Sequence, residues 1–126
     1  MRISLHRQMF QRLWNKQSAA AGMSAATDFI EQTLEKNPVV IFSKSYCPFC
    51  HKAKRVFDEL QVPYLAVELD GRADGSDIQE VLKQKTGART VPRVFVNKQC
   101  LGGGSDVENM YREEKLQKLL QSNGLL

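Results

Sequence analysis

The chain has 126 residues, 42% hydrophobic and 25% charged, with a net charge of +4 and three cysteines. That length supports one domain with its own hydrophobic core, and three cysteines do not make the disulfide framework of a small secreted protein. The charge gives no nucleic-acid surface: Arg2, Arg7, Arg12 and Lys16 stand in the first 23 residues without one acid, while residues 24–126 carry 14 basic and 14 acidic side chains and are neutral. No apolar run approaches the roughly 20 residues that cross a bilayer, and no secretory apolar region is seen. The expected setting is therefore a soluble intracellular protein in a thiol-reducing compartment, with no membrane and no nucleic acid among its partners.

Met1 to about Met23 has the composition of an organelle-targeting presequence: it contains Arg, lacks acids, and has Ile3, Leu5, Met9, Phe10, Leu13 and Trp14 for one helical side. Arg2 and Lys16 fall within that side, so the segregation is imperfect. The low Ser content favours a mitochondrial over a plastid address; the competing reading is a flexible basic extension on a cytoplasmic protein. Ala19-Ala20-Ala21-Gly22 reads as a flexible junction. Met23-Ser24-Ala25-Ala26 reads as a second start that gives a cytoplasmic form. The expected division is 1–23 as presequence or extension and 24–126 as the folded domain.

From Thr27 the spacing of Phe29, Ile30 and Leu34 predicts a helix, with Thr27 or Ser24 as N-cap, that Asn37-Pro38 stops. Pro38 to Phe42 is a β-branched and aromatic run of strand length. Ala53, Val56, Phe57 and Leu60 then repeat with helical spacing, and Tyr64 to Leu69 predicts a second strand, so the two strands are joined by a right-handed parallel crossover. Asp70 to Gly75 reads as loop. Ser76-Asp77-Ile78-Gln79 matches a capping box that opens a helix closed by Gly87. Arg93 to Asn97 is a third strand, Cys100-Leu101 a short fourth, and a last helix starting at Ser105 or Asp106 seats Leu116, Leu119 and Leu120 on the sheet.

The chemistry concentrates at Cys47-Pro48-Phe49-Cys50, at the junction of the first strand with the following helix. Unpaired N–H groups and the positive end of a helix dipole stabilise an anion there, Pro48 suits the first helical position, and Lys44 adds a cation; all favour Cys47 as a thiolate nucleophile. Cys50, one turn on, is close enough to form a disulfide with Cys47 and reads as the resolving thiol. A structural zinc site lacks ligands, since only Cys100, His51 and His6 remain, and no metal is expected. Cys47 to His51 also fits a haem-attachment spacing, but the strand-to-helix context favours a redox pair. His51 reads as a solvent-facing helix residue, and Cys100 as a small hydrophobe in a strand.

Val91-Pro92 before a strand admits two readings, an edge or strand start, or a cis peptide turning the Val91 backbone toward Cys47. Gly102-Gly103-Gly104 before a helix forms an anion cradle with unshielded N–H groups.

Cys47-Pro48-Phe49-Cys50, Thr86 to Phe95 around Thr90-Val91-Pro92, and Leu101-Gly102-Gly103 with Ser105-Asp106 together resemble a dithiol glutaredoxin of the thioredoxin-fold superfamily, over roughly residues 25 to 124. The resemblance implies an α/β thioredoxin fold, a four-stranded mixed sheet flanked by helices on both faces. It implies a glutathione-dependent thiol–disulfide oxidoreductase that reduces glutathione mixed disulfides and protein disulfides through Cys47 and Cys50. It also implies a cis bond at Val91-Pro92. Thr90 and Val91 would bind the cysteinyl backbone of glutathione, with Phe49 and Pro92 beside them. Lys44, Gln79 and Arg89 would hold its glycine carboxylate. Gly103, Ser105 and Asp106 would bind the γ-glutamyl end. Glutathione is then a co-substrate rather than a bound cofactor, the other partners are glutathionylated or disulfide-containing proteins, glutathione reductase acts only through glutathione, and a monomer is expected. Gly104 stands where many relatives have Cys, and Phe49 where Tyr is common. Two alternatives remain: an iron–sulfur carrier ligated by two Cys47 thiolates and two glutathiones, against which Pro48 argues, and a thioredoxin-type reductant, which Tyr46 and Pro48 do not fit.

Overall fold

The computed structural model describes residues 21–126, so the readings made for residues 1–20 lie outside it. Helix α1 occupies residues 21–36. It is followed by β1 (Val39–Ser43), α2 (Pro48–Glu59), β2 (Leu65–Glu68), a 3-10 turn (Leu69–Gly71), α3 (Gly75–Thr86), β3 (Arg93–Val96), β4 (Gln99–Gly102), α4 (Gly104–Arg112) and α5 (Lys115–Ser122). The strands lie in the order β2-β1-β3-β4. β1 runs parallel to β2, with Ser43 opposite Glu68, and antiparallel to β3, with Phe42 opposite Arg93. Asn97 and Lys98 join β3 to β4 at φ 47° and 71°, the left-handed pair that a two-residue hairpin turn uses.

All five residues of β1 are buried, as a continuous apolar strand at the middle of a sheet covered on both sides should be. Alternation sends its side chains to opposite faces. Val40 and Phe42 join Val67 and Phe95 under Ala26, Ile30 and Leu34 of α1 and Ile78, Val81 and Leu82 of α3. Val39 and Ile41 join Val94 and Val96 under α2, α4 and α5, against Ala53, Val56, Phe57, Val107, Leu116 and Leu120. Each such Val, Leu, Ile or Phe side chain contributes about 1.5–3 kcal/mol by leaving water. Phe42 and Phe95 add an edge-to-face contact, with ring centroids 5.7 Å apart. The two cores clamp β1 from both sides and fix the end of the strand from which the cysteine pair departs.

Three local expectations need correction. Helix α1 already covers Ala21 and Gly22, read as a junction, and Thr27, read as a cap, lies within it with its hydroxyl donating to Met23 O at 2.9 Å. Ser76 does not cap α3: the N-cap is Asp74, which makes no side-chain cap bond because Arg72 Nε and Nη2 occupy its carboxylate at 2.8 and 3.1 Å. The last helix is two, α4 and α5, broken where Glu114 takes φ 62°.

Candidate active site

β1 ends at Ser43, and the chain turns through Lys44, Ser45 and Tyr46 before α2 begins. Ser45 pins this turn: its N–H donates to Asp70 Oδ1 at 3.1 Å, its hydroxyl donates to Asp70 Oδ2, and its carbonyl lies 2.8 Å from His51 Nε2. The hydroxyl bond first, then the N–H bond, with a smaller contribution from Lys44, hold the Asp70 carboxyl below the usual carboxylate range. Cys47 closes the turn through its N–H to Lys44 O at 3.1 Å.

Cys47 is the N-cap of α2, and Pro48 follows it in the first turn, where a missing N–H leaves nothing unpaired. The Cys50 N–H donates to Cys47 Sγ at 3.4 Å, and the Cys47 thiol points at Val91 O, 3.8 Å away. The Val91–Pro92 bond is cis. The two sulfurs differ in surroundings: Cys47 is half-buried, whereas Cys50 is fully enclosed. Burial, then the hydrogen bond with Cys47, push the Cys50 thiol up to about 11, against smaller lowering by the Lys44 backbone and the Ser43 hydroxyl.

Beside Cys47 lies a cleft of about 320 Å³ lined by Phe49, Thr90, Val91, Pro92, Arg93, Gly103, Gly104, Ser105 and Asp106. Seven of the residues singled out in the sequence thus share one surface. Gly103 caps α4, and its N–H donates to Asp106 Oδ2 at 2.8 Å. Lys44, Gln79 and Arg89 lie outside the lining. Gln79 Nε2 donates to Arg89 O at 3.2 Å, and the Arg89 guanidinium is engaged by Glu80 Oε2 at 2.9 Å and Ser76 Oγ at 3.3 Å.

Of the lining, Gly104 was read as part of the glycine cradle but not for its packing, and Arg93 escaped the sequence reading as a site residue. A Cβ on Gly104 would stand 2.7 Å from Phe49 O; glycine is what lets the first turn of α4 close on the first turn of α2. Arg93 is 9% exposed and has no ion-pair partner among the described residues. Its Nε donates to Pro92 O at 3.1 Å and its Nη2 to Thr90 Oγ1 at 3.3 Å. The available signal was a charged residue inside an otherwise apolar strand. Phe49 and Tyr46 are 50% and 70% exposed and flank the sulfur pair with apolar surface. Cys100, opposite Phe95 in β4, packs against the α1–α3 core. Among the described residues no group of three or more His, Cys, Asp or Glu could hold a metal ion.

A family model described as Glutaredoxin matches residues 39–101. Glutaredoxin-C4 of Arabidopsis thaliana is 50% identical over 107 residues, 84% of this chain and 78% of that protein. The mitochondrial Glutaredoxin-2 of Rattus norvegicus is 45% identical, over 84% of this chain and 69% of that one. Among solved structures, a buckwheat glutaredoxin–glutathione complex superposes with a TM-score of 0.80 at 39% identity, over 84% of this chain and 96% of that one. Identity this high, running through the cysteine pair and the sheet that carries it, reaches beyond architecture: the chain belongs to the glutaredoxin family, thiol–disulfide oxidoreductases of thioredoxin fold.

Proposed function

We propose that the protein reduces glutathione mixed disulfides and protein disulfides at the expense of glutathione, with Cys47 as nucleophile and Cys50 as resolving thiol. The carrying observation is the asymmetry of the pair: Cys47 is half-buried at the start of α2 with the Cys50 N–H directed at its sulfur, while Cys50 is enclosed and held as a thiol at neutral pH. In the one-thiol route the Cys47 thiolate attacks the glutathionyl sulfur of a mixed disulfide, and the protein substrate leaves as its thiolate. A second glutathione thiolate attacks the sulfur now bonded to Cys47, producing oxidised glutathione and restoring Cys47. In the two-thiol route Cys47 attacks a protein disulfide, Cys50 attacks Cys47 to expel the substrate, and two glutathiones reduce the resulting Cys47–Cys50 bond. Glutathione reductase enters only by recycling oxidised glutathione.

The cleft suits a peptide with a zwitterionic end. Thr90 and Val91 offer extended backbone beside Cys47 to the cysteinyl unit, between the walls made by Phe49 and Pro92. Ser105 offers its N–H at a helix start to the γ-glutamyl carboxylate, and Asp106, held by the Gly103 N–H, offers an anion to its ammonium. Lys44, Gln79 and Arg89, at the opposite rim, take the glycine carboxylate. The glutathione named in the buckwheat structure supports this occupant. Residues 1–23 act as a mitochondrial presequence in this reading, in keeping with their acid-free, Arg-containing composition and with the name of the rat relative; a fusion of those residues to a fluorescent protein checks it by microscopy.

The test of the chemistry is turnover of a glutathionylated peptide by the full chain, coupled to glutathione reductase and NADPH. Cys47→Ser should abolish activity and Cys50→Ser should keep most of it. A wild-type chain that is inactive with glutathione would sink the proposal.

A further inference from the structure

The cleft beside Cys47 holds a buried cation that no acid among the described residues neutralises. Arg93 opens β3, one of the two inner strands of the sheet, opposite Phe42, and is only 9% exposed. A guanidinium keeps its charge when it is buried, and a buried charge without a counter-ion is costly. An apolar side chain would serve the packing at such a position, so the charge calls for an explanation.

The guanidinium is held in one orientation. Its Nε donates to Pro92 O at 3.1 Å and its Nη2 to Thr90 Oγ1 at 3.3 Å, which uses two of its five N–H donors. Nη1 makes no hydrogen bond among the described residues and is not sealed from solvent; since Arg93 lines the cleft, that is where it opens. The one acid in the same lining is Asp106, and Gly103 stands between the two. A Cβ placed on Gly103 would lie 3.1 Å from Arg93 Nη2 and 3.8 Å from Asp106 Oδ2. The two side chains nevertheless make no ion pair with each other, because Asp106 Oδ2 is turned to the Gly103 N–H at 2.8 Å. The cleft therefore keeps a cation and an anion side by side but unjoined. An α-amino acid presents the complementary pair, an ammonium and a carboxylate on one carbon.

We propose that Arg93 binds the α-carboxylate of the γ-glutamyl residue, so that Arg93 and Asp106 together read the zwitterionic end of glutathione and set the preference for it over other thiol peptides. This rests on glutathione as the occupant of the cleft, as given above, and assigns the cation that its γ-glutamyl end meets. The Ser105 N–H shares the same carboxylate. A helix start amounts to roughly half an elementary charge, whereas the guanidinium brings a full charge together with a donor, in a place that salt screens little. The bonds to Thr90 and Pro92 have a second effect. They tie the receptor for the carboxylate to the segment that takes the cysteinyl backbone, so the two parts of the ligand are held in register.

The experiment separates the two charges of the ligand. One fluorescent peptide is prepared as its mixed disulfide with glutathione, with γ-aminobutyryl-cysteinylglycine, which lacks the α-carboxylate, and with glutaryl-cysteinylglycine, which lacks the ammonium. Reduced full-length protein is mixed with each, and the second-order rate of peptide release is measured. The wild-type protein should release the peptide from the glutathione compound at least about tenfold faster than from the γ-aminobutyryl one, the low side for a hydrogen bond to a charged group. Arg93→Gln should remove most of that preference and leave the preference over the glutaryl compound, which Asp106 sets, nearly unchanged. Arg93→Lys keeps a cation and should weaken the first preference by a smaller factor; it carries the test if the glutamine variant does not fold. An equal slowing of all three substrates would mean that Arg93 only braces Thr90 and Pro92. That result, or a preference left unchanged by both substitutions, overturns the proposal and leaves the glutathione reading standing. A wild-type protein that releases the peptide equally fast from all three overturns the γ-glutamyl placement and this proposal together.

Discussion

The two ends, or rims, of the proposed glutathione site are made of different material. On one rim the start of α4 supplies backbone: Gly103 caps the helix, Gly104 is packed against Phe49, and Asp106 is already fixed by the Gly103 N–H. On the other, outside the cleft lining, the proposed residues Gln79 and Arg89 are side chains with partners of their own, in Arg89 O, Glu80 and Ser76. A ligand meeting the first rim finds donors whose positions the fold has set. A ligand meeting the second must exchange existing bonds and order long side chains, which costs about 0.5–1.5 kcal/mol for each side chain immobilised. The proposed glutathione site thus has one preformed end and one adaptable end, and substitutions at the two ends should fail differently.

The largest effect should come from breaking the preformed rim at its tightest point. A Cβ at position 104 meets the Phe49 carbonyl oxygen at 2.7 Å, a backbone atom that cannot swing aside. Gly104→Val should force α4 away from α2 at a cost of about 1–3 kcal/mol, as overpacking usually does. We expect kcat/KM for a glutathionylated peptide to fall at least about tenfold, with a lower midpoint of thermal unfolding. A smaller and cleaner loss should follow Asp106→Asn. The amide oxygen can still accept from Gly103 N–H, so folding should be nearly untouched, while the charge facing the γ-glutamyl ammonium is gone. Hydrogen bonds to charged groups contribute about 1.5–3 kcal/mol, so KM for glutathione should rise at least about tenfold with kcat within about twofold. An unchanged KM would move the γ-glutamyl end away from this rim.

The same division governs how much could be read from the sequence. The preformed rim and the sulfur pair were legible because local chemistry dictates them: a β-branched run into Cys47, proline at a helix start, three glycines before a cap. The adaptable rim was legible only as a set of residues, since the grip of Glu80 on Arg89 and of Asp70 on Ser45 spans 9 and 25 positions along the chain. Arg93 went unread because its burial depends on the Pro92 carbonyl and Thr90 hydroxyl folding round it. The capping box at Ser76 misled for a related reason: the pattern is real, but α3 starts earlier, at Gly75, and Arg72 holds the Asp74 carboxylate. The break between α4 and α5 at Glu114 has no glycine or proline to announce it; the packing of Leu116 and Leu120 against the sheet sets the direction of α5 instead.

The adaptable rim offers the smallest effect and the one of opposite sign. Arg89 and Glu80 are 49% and 37% exposed and pair at 2.9 Å, so their attraction contributes at most about 1 kcal/mol and is weakened by salt. If Arg89 must release Glu80 before it can meet the glycine carboxylate, then Glu80→Gln removes a competitor. KM for glutathione should fall, by up to about fivefold at low ionic strength if the whole of that attraction is released, and the gain should shrink at physiological salt. No substitution at Gly104 should improve binding, because its contact with Phe49 leaves no competitor to remove. A rise in KM for Glu80→Gln would mean that Glu80 holds Arg89 where glutathione needs it, and that the second rim is as preformed as the first.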